Sequence, residues 1–219
     1  MSEDNLETEV KFYLHNITQM EKRLQSMGAS LFQGRTHELN LRFDTPQSDF
    51  MREGRVLRLR QDQTIHLTYK DNSQLIDGAL SRREIELSVT DFEKARQFIE
   101  ALGFEVVFVY EKFRTTYTLI RGKLESGERS KAHGIYIMLD ELPIGNFIEI
   151  EGDLDELKPL TEFLGLAWHS AIPTSYHSLF DHLVRLRNWT FRDLSFDNFK
   201  GIKIVPSDLG VIPGDKSIK

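Results

Sequence analysis

One pattern constrains this chain more than any other: charge and hydrophobe alternate every second residue, in one short stretch after another. In LETEVKF, Leu6 to Phe12, the charged Glu7, Glu9 and Lys11 alternate with Leu6, Val10 and Phe12, and only Thr8 is neutral between them. Successive side chains on a strand point to opposite faces, so three charges share one side and three hydrophobes the other. The pattern returns in HELNLRFD, RVLRLRQ, IHLTYKD, SRREIELSV, EKFRTTYTLI, GIYIMLDEL and NFIEIEG. These eight stretches predict an α+β chain built on a large antiparallel sheet or an eight-stranded antiparallel β-barrel, with helices packed outside.

A single charged face would simply be wet, and a one-layer sheet with one solvated side is the alternative architecture. Repetition on nearly every strand favours a closed barrel whose charged faces line the lumen while its hydrophobic faces meet the helices. Solvated faces mix Thr, Ser, Gln and Lys, whereas these concentrate Arg and Glu. Eight inward candidates are cationic (Lys11, Arg42, Arg58, Arg60, Lys70, Arg82, Lys112 and Arg114) and seven acidic (Glu7, Glu9, Glu84, Glu86, Asp140, Glu149 and Glu151). Isolated buried ions cost several kcal/mol each, roughly, so near balance keeps such an interior tolerable.

Four segments carry helical spacing. They lie near Thr18–Met27, stopped by Gly28; near Asp91–Leu102, with Thr90 as the expected N-cap; near Asp155–Leu164, with Pro159 in its first turn or kinking it; and from Pro173 to about Asn188. Asp44-Thr45-Pro46 and Asp71-Asn72-Ser73 read as turns, and Gly122–Gly134 as a charged hairpin loop. A loose echo of acidic strand, turn, helix and glycine begins at Glu9, Glu84 and Glu149. Residues 1–188 form the expected main domain. From Trp189 to Lys219 the chain turns Gly-, Pro- and Asp-rich, an extension whose apolar residues favour packing across the domain.

Composition narrows the function. A net charge of −6 argues against a protein that coats nucleic acid, and no long apolar run predicts a membrane span. There is no cysteine, so disulfides and thiolate metal sites are excluded, and a cytoplasmic protein is expected. The histidines show no zinc-ligand spacing, with His177 and His182 on different helix faces. Neither a phosphate-binding G-x-x-x-x-G-K-[ST] loop nor a G-x-S-x-G elbow is present. Carboxylates with few histidines suit a hard divalent cation such as Mg²⁺ or Mn²⁺, and a field of Arg and Lys suits phosphate oxygens. A metal-bound polyphosphate satisfies both sets.

The residues also carry a family resemblance. Glu7-Thr8-Glu9-Val10-Lys11 matches the E-x-E-x-K signature of the CYTH superfamily of triphosphate tunnel metalloenzymes. FDTP, LRLR, LTYK, R-x-E-x-E, EKFR, LDE and FIEIEG follow in the order seen in that family, from Leu6 to about Leu186. The resemblance implies a tunnel that binds a linear triphosphate with a divalent metal. It implies that Glu7, Glu9, Glu149 and Glu151 ligate metal, with Asp140 and Glu84 or Glu86 assisting. It implies that Lys11, Arg58, Arg60, Lys70, Arg82, Lys112 and Arg114 grip phosphate, with Arg42 as a further candidate; Glu7, Glu9, Lys11 and Asp140 are the expected catalytic set. The implied partner is a small-molecule triphosphate, with neither nucleic acid nor membrane, and a homodimer is allowed. Some relatives place a late basic residue on a C-terminal helix; here PTSYHSLFDHL has no lysine, and Arg185 or Lys200 is the substitute on offer. The expected activity is hydrolysis of tripolyphosphate, a nucleoside triphosphate or thiamine triphosphate. The alternatives are a class IV adenylyl cyclase and a non-catalytic sensor of polyphosphate or nucleotide.

Overall fold

Alternation does produce a closed sheet. A computed structural model describes residues 6–119 and 134–215 of the chain. Its strands are β1 (Leu6–Leu14), β2 (Ser30–Asp44), β3 (Val56–Gln61), β4 (Ile65–Lys70), β5 (Gln74–Ile76), β6 (Ala79–Ser88), β7 (Glu105–Leu119), β8 (Ile135–Leu142) and β9 (Gly145–Glu151). They run in the order β1-β9-β8-β7-β2-β3-β4-β6-β5, and a further β1–β6 pairing closes the ring. Every pairing is antiparallel. The sheet has nine strands where the alternation predicts eight, because β5 prolongs the line of β4 beyond the Asp71-Asn72-Ser73 turn. Both pair with one edge of β6, β4 at His66↔Ser88 to Lys70↔Glu84 and β5 at Gln74↔Ser81 to Ile76↔Ala79. The ring therefore keeps eight positions. The hairpin loop expected at Gly122–Gly134 lies outside the described residues, apart from Gly134.

Five helices attach to this ring: α1 (Ile17–Ser26), α2 (Asp49–Arg52), α3 (Phe92–Ala101), α4 (Leu154–Phe163) and α5 (Tyr176–Arg187). Three of them follow β1, β6 and β9, which is the physical content of the strand-turn-helix echo. The cap of α3 is Asp91, not Thr90: its carboxylate accepts the Lys94 amide at 3.0 Å, so the helix begins one residue later than expected. Pro159 lies inside α4. The single turn α2, unexpected from sequence, is held by the Asp44 carboxylate, which accepts the amides of Thr45, Phe50 and Met51 at 2.7, 2.9 and 2.9 Å. Among the described residues no helix is long and apolar enough to cross a membrane.

The outward apolar faces are buried as the alternation requires. Val10, Phe12, Ile137, Ile148 and Ile150 pack with Met20 and Leu24 of α1 and Leu157 of α4. Leu41, Phe43 and Leu59 pack with Ile99 of α3. A third cluster has a different origin. Tyr13, Phe108, Tyr110 and Phe147 share the inward parity of the charged positions, and they pack against Tyr176, Leu179, Phe180 and Leu183 of α5. Leu194, Phe199 and Leu209 of the C-terminal extension complete that cluster. One end of the barrel is thus filled with rings and stopped by α5 and the extension. Each such buried side chain contributes about 1.5–3 kcal/mol relative to exposure.

The extension is tied down by its backbone. Leu194 donates to the Val109 carbonyl at 2.9 Å and accepts from the Glu111 amide at 3.0 Å, and Gly214 donates to the Tyr13 carbonyl at 2.8 Å. Asp215 accepts the amides of His15 and Asn16 at 2.7 and 3.0 Å, directly before α1.

Candidate active site

The remainder of the barrel encloses a cavity of about 600 Å³. Of the fifteen predicted charged residues, every one but Asp140 lines it. Strand register explains the convergence. Lys11 lies opposite Glu149, Glu7 opposite Arg82, Lys70 opposite Glu84, and Arg42 opposite Arg58.

The carboxylates fall into distinct groups. Glu7, Glu9, Glu84 and Glu151 come from three neighbouring strands, β1, β6 and β9, and crowd one another. Burial pushes the Glu151 carboxyl up to about 7, with Glu7, Glu84 and Glu9 adding repulsion. Glu7 is raised too, first by burial and then by its proton-sharing contact with Glu84. Burial works against ionisation of Glu84 as well, but the hydrogen bond from Glu7 and the Lys70 charge hold it below its ordinary value. Lys70 answers this crowding: its ammonium lies 2.9 and 2.6 Å from the two Glu7 oxygens and 2.7 Å from Glu84. Arg82 reaches Glu7 at 3.6 Å and Glu9 at 3.4 Å. Crowded oxygen donors, two of them (Glu7 and Glu151) resisting ionisation, form a set suited to a hard cation. Among the described residues no three carboxylates or histidines already converge on one point in metal-binding geometry. The oxygens of Glu7, Glu9 and Glu84 are held on Lys70 and Arg82 instead.

A second group is sealed. Asp140 is fully buried and every close contact it makes is a donor: Lys112 at 2.9 Å, Arg114 at 2.6 Å to each oxygen, and the Tyr176 hydroxyl at 2.9 Å. It lies beneath the cavity rather than on its wall. Glu38 lies beside it, 3.5 Å from Lys112 and 3.8 Å from Arg114. Although burial opposes ionisation, Lys112, Arg114, Arg60 and Arg58 together hold the Glu38 carboxyl down at about 2. Glu149 bridges this group to the cavity, paired with Lys11 at 3.1 Å and with Arg114. Those two cations, with Lys112, overcome its burial and keep it well below the usual carboxylate range.

The opposite wall is basic. Arg42, Arg58 and Arg60 come from β2 and β3, and the guanidinium Nε–H groups of Arg58, Arg60 and Arg82 are buried without a hydrogen-bond partner among the described residues. Buried N–H groups left unpaired are costly, and here they belong to residues that line a cavity a ligand can enter.

Sequence reasoning passed over four residues here. Glu38 and Asn40 share the inward parity of Arg42 in HELNLRFD, so alternation alone was enough to find them; Asn40 is fully buried with neither amide atom partnered among the described residues. Tyr176 is reached by no pattern in the sequence, because it arrives on α5. Its ring carries the Lys11 ammonium at 4.2 Å from its centroid, and burial with the nearby Asp140 and Glu149 charges raises its phenol well above its ordinary value. His177, set aside in the sequence because its spacing suits no zinc site, lines the cavity, accepting from Arg42 through Nδ1 at 3.1 Å and stacking on Phe108 at 4.2 Å. Burial and the Arg42 charge hold it down at about 4. Arg185 and Lys200 are exposed and neither lines the cavity, so the late basic residue offered by the sequence has no counterpart there.

Comparison with known proteins bears on the family and the fold. The family model described as CYTH domain matches residues 5–167. A curated protein of Methanocaldococcus jannaschii, provisionally named an adenylate cyclase, is 27% identical over 178 residues, covering 80% of this chain and 98% of the relative. The PH1012 protein of Pyrococcus horikoshii has a solved structure that superposes with a TM-score of 0.59 at 26% identity, covering 78% of this chain and 96% of that one. A Hippeastrum protein provisionally named an adenylyl cyclase and described as having a dominant triphosphatase activity shares the fold at a TM-score of 0.51 and 18% identity, covering 94% of this chain and 100% of that one.

Proposed function

Because this chain belongs to the CYTH domain family, whose members are triphosphatases or adenylyl cyclases, we propose that it is a divalent-metal-dependent triphosphatase acting on a linear triphosphate. The observation that carries the reading is the paired shortfall inside one cavity. The buried Nε–H groups of Arg58, Arg60 and Arg82 make no hydrogen bond among the described residues, the nearest carboxylates to the last two being Asp62 at 3.3 Å and Glu7 at 3.6 Å. Glu7 and Glu151, meanwhile, resist ionisation beside other carboxylates. A phosphate chain supplies the acceptors and a hard cation relieves the carboxylates.

Glu7, Glu9, Glu84 and Glu151 would hold the cation, with Glu149 at the edge of the set. When bound, Mg²⁺ or Mn²⁺ supplies charge neutralisation on the phosphates and a more acidic water. Arg42, Arg58, Arg60 and Arg82 grip phosphate oxygens, and Lys11, Lys112 and Arg114 complete the positive field. Lys11 is fixed by Glu149 at 3.1 Å and by the Thr174 carbonyl at 3.1 Å, so its ammonium is positioned before substrate arrives. Asp140 holds Lys112 and Arg114 from beneath as a positioning residue. The ring-filled end favours a substrate that enters from one side with its charge directed inward.

Hydrolysis is preferred over cyclisation on the state of the aromatic rings. Phe108 is stacked on both His177 at 4.2 Å and Tyr110 at 5.4 Å, and the Tyr176 ring is taken up by Lys11. The aromatic rings on the cavity wall are thus engaged with one another or with a cation of the wall, which disfavours their use as an adenine platform. The cyclase reading is favoured by the name of the archaeal relative. Turnover of tripolyphosphate, ATP and thiamine triphosphate, each with Mg²⁺ and with Mn²⁺, separates the two. Orthophosphate as product supports hydrolysis; cyclic AMP with pyrophosphate establishes the cyclase; binding without turnover leaves a sensor. Glu9→Ala should abolish metal-dependent turnover in a folded protein, and normal activity in that variant would remove Glu9 from the metal set.

A further inference from the structure

Glu86 sits apart from the other carboxylates that line the cavity. It lies opposite Thr68 on β4, one inward step beyond Glu84 along β6, a separation of about 7 Å. Its Oε2 accepts the Thr68 hydroxyl at 2.9 Å, and that hydroxyl in turn accepts from Arg58 at 3.3 Å. Its Oε1 lies 3.1 Å from His66 Nδ1. Toward the guanidinium groups its contacts are long, 3.9 Å to Arg58 and 3.7 Å to Arg60. Those distances exceed hydrogen-bond range, so the charges face each other without a fixed bond. Its side chain is 34% exposed, against 12% for Glu7 and 9% for Glu149. Nor is Glu86 among the chief causes of the raised Glu7 and Glu151 carboxyls.

Resting on the triphosphatase reading, we propose that Glu86 is not a metal ligand but a resident counter-anion that stands on the phosphate position of Arg58 and Arg60 and must be displaced by substrate. The assignment follows from charge. Arg58 and Arg60 lie two residues apart on one strand. Among the described residues Arg58 bonds only the Tyr110 and Thr68 hydroxyls, and Arg60 has Asp62 at 3.3 Å. On this stretch of wall two guanidinium groups thus meet one close carboxylate besides Glu86, and they repel each other. Glu86, held by the Thr68 hydroxyl beside His66 and only loosely paired with the two guanidinium groups, offsets the remaining charge while staying easy to dislodge. Displacement sets a threshold. A polyphosphate that also occupies the rest of the cationic field gains enough contacts to move Glu86 aside, whereas one orthophosphate competes with it poorly. The same residue then selects for chains of phosphate on entry and helps expel the short product afterwards.

This reading makes an uncommon demand: removing a carboxylate from the site should tighten ligand binding. The test is calorimetric titration of the full chain with tripolyphosphate and with orthophosphate in excess chelator, for wild type, Glu86→Gln and Glu86→Ala. Glu86→Gln keeps an acceptor for the Thr68 hydroxyl, and thermal unfolding checks that each variant is folded. Both variants should bind each probe roughly tenfold more tightly than wild type, with orthophosphate becoming a stronger product inhibitor of turnover. An unmoved or weakened affinity in chelator overturns the assignment. So does loss of the Mg²⁺-induced rise in melting temperature in Glu86→Gln, because that would make Glu86 a metal ligand. A wild-type chain that takes no tripolyphosphate, with or without Mg²⁺, sinks the triphosphatase reading itself and this inference with it. Firm wild-type binding with unchanged variant values sinks the inference alone.

Discussion

Two parts of the barrel interior are equally rich in charge and behave in opposite ways. Beneath the cavity, Asp140 is closed over by Lys112, Arg114 and Tyr176 at 2.6–2.9 Å and exposes nothing to solvent. On the cavity wall, Glu86, Arg58 and Arg60 face one another at 3.7–3.9 Å with donors to spare. The same residue types serve both, and the difference is satisfaction. A buried ion whose lone pairs are all accepted is part of the structure; a loosely paired one leaves capacity for a ligand. The contrast predicts that stability depends on the sealed part and binding on the open one.

The largest effect tests the sealed part. Asp140→Ala leaves Lys112 and Arg114 facing each other without their shared acceptor, and should cost about 3–5 kcal/mol of folding stability. Denaturant unfolding measures it. A loss below about 1 kcal/mol would mean that Asp140 is replaceable, and the distinction between the two parts would dissolve.

Next comes Glu38, through acid. Its folded carboxyl titrates at about 2 against an ordinary 4.5. A depressed carboxyl adds stability that is complete above the ordinary value and is lost as pH falls through the folded one. The contribution is on the order of 3 kcal/mol and should disappear between roughly pH 4.5 and 2. Glu38→Gln should therefore flatten the stability-pH curve across that window and leave the curve near pH 7 parallel to wild type. An unchanged acid limb would place Glu38 outside the sealed network.

How much of this was legible in the sequence follows the same division. Inward parity is a local property, so strand alternation alone located Arg58, Arg60, Lys70, Glu149 and the rest of the wall. Closure of the sheet and the outside helices followed from the same rule, although which strands meet at the closure, β1 and β6, did not. Alternation has no means of ranking the residues it collects: Asp140 and Glu86 read alike in sequence, although one lies sealed and the other loosely held. That ranking depends on contacts across the barrel, between strands far apart in the chain. The same limit hid Tyr176 and His177, which join the site only because α5 packs on the ring-filled end. Glu38 and Asn40 were within reach, in HELNLRFD, and were passed over because the reading of that stretch stopped at Arg42. The ninth strand was missed because a three-residue strand beside a turn carries too short a pattern to recognise.

On the open side, Arg60→Ala should move binding and spare the fold. Arg60 pairs loosely with Glu86 at 3.7 Å and with Asp62 at 3.3 Å, near the end of β3. Charge-assisted contacts to phosphate contribute about 1.5–3 kcal/mol each, so KM for the triphosphate should rise by roughly ten- to a hundredfold. Melting temperature and Mg²⁺ affinity should hardly change. An unchanged KM and kcat would contradict the phosphate role and make the unpaired guanidinium groups incidental.

The smallest expected effect falls where the two parts meet. The Tyr176 hydroxyl donates to Asp140 at 2.9 Å, while its ring lies under Lys11, a residue of the cavity wall. Tyr176→Phe removes the hydroxyl and keeps the ring. Asp140 would retain Lys112 and both Arg114 donors, so the stability loss should be modest, about 1 kcal/mol. Lys11 should stay in place over the ring, leaving KM close to wild type. Tyr176→Leu removes the ring as well, and then KM should rise while the additional loss of stability stays small. If Tyr176→Phe alone raises KM as much as Tyr176→Leu does, Lys11 is positioned through Asp140 rather than through the ring. The sealed network would then extend into the wall, and the boundary between the two parts would have to move outward to include Lys11 and Glu149.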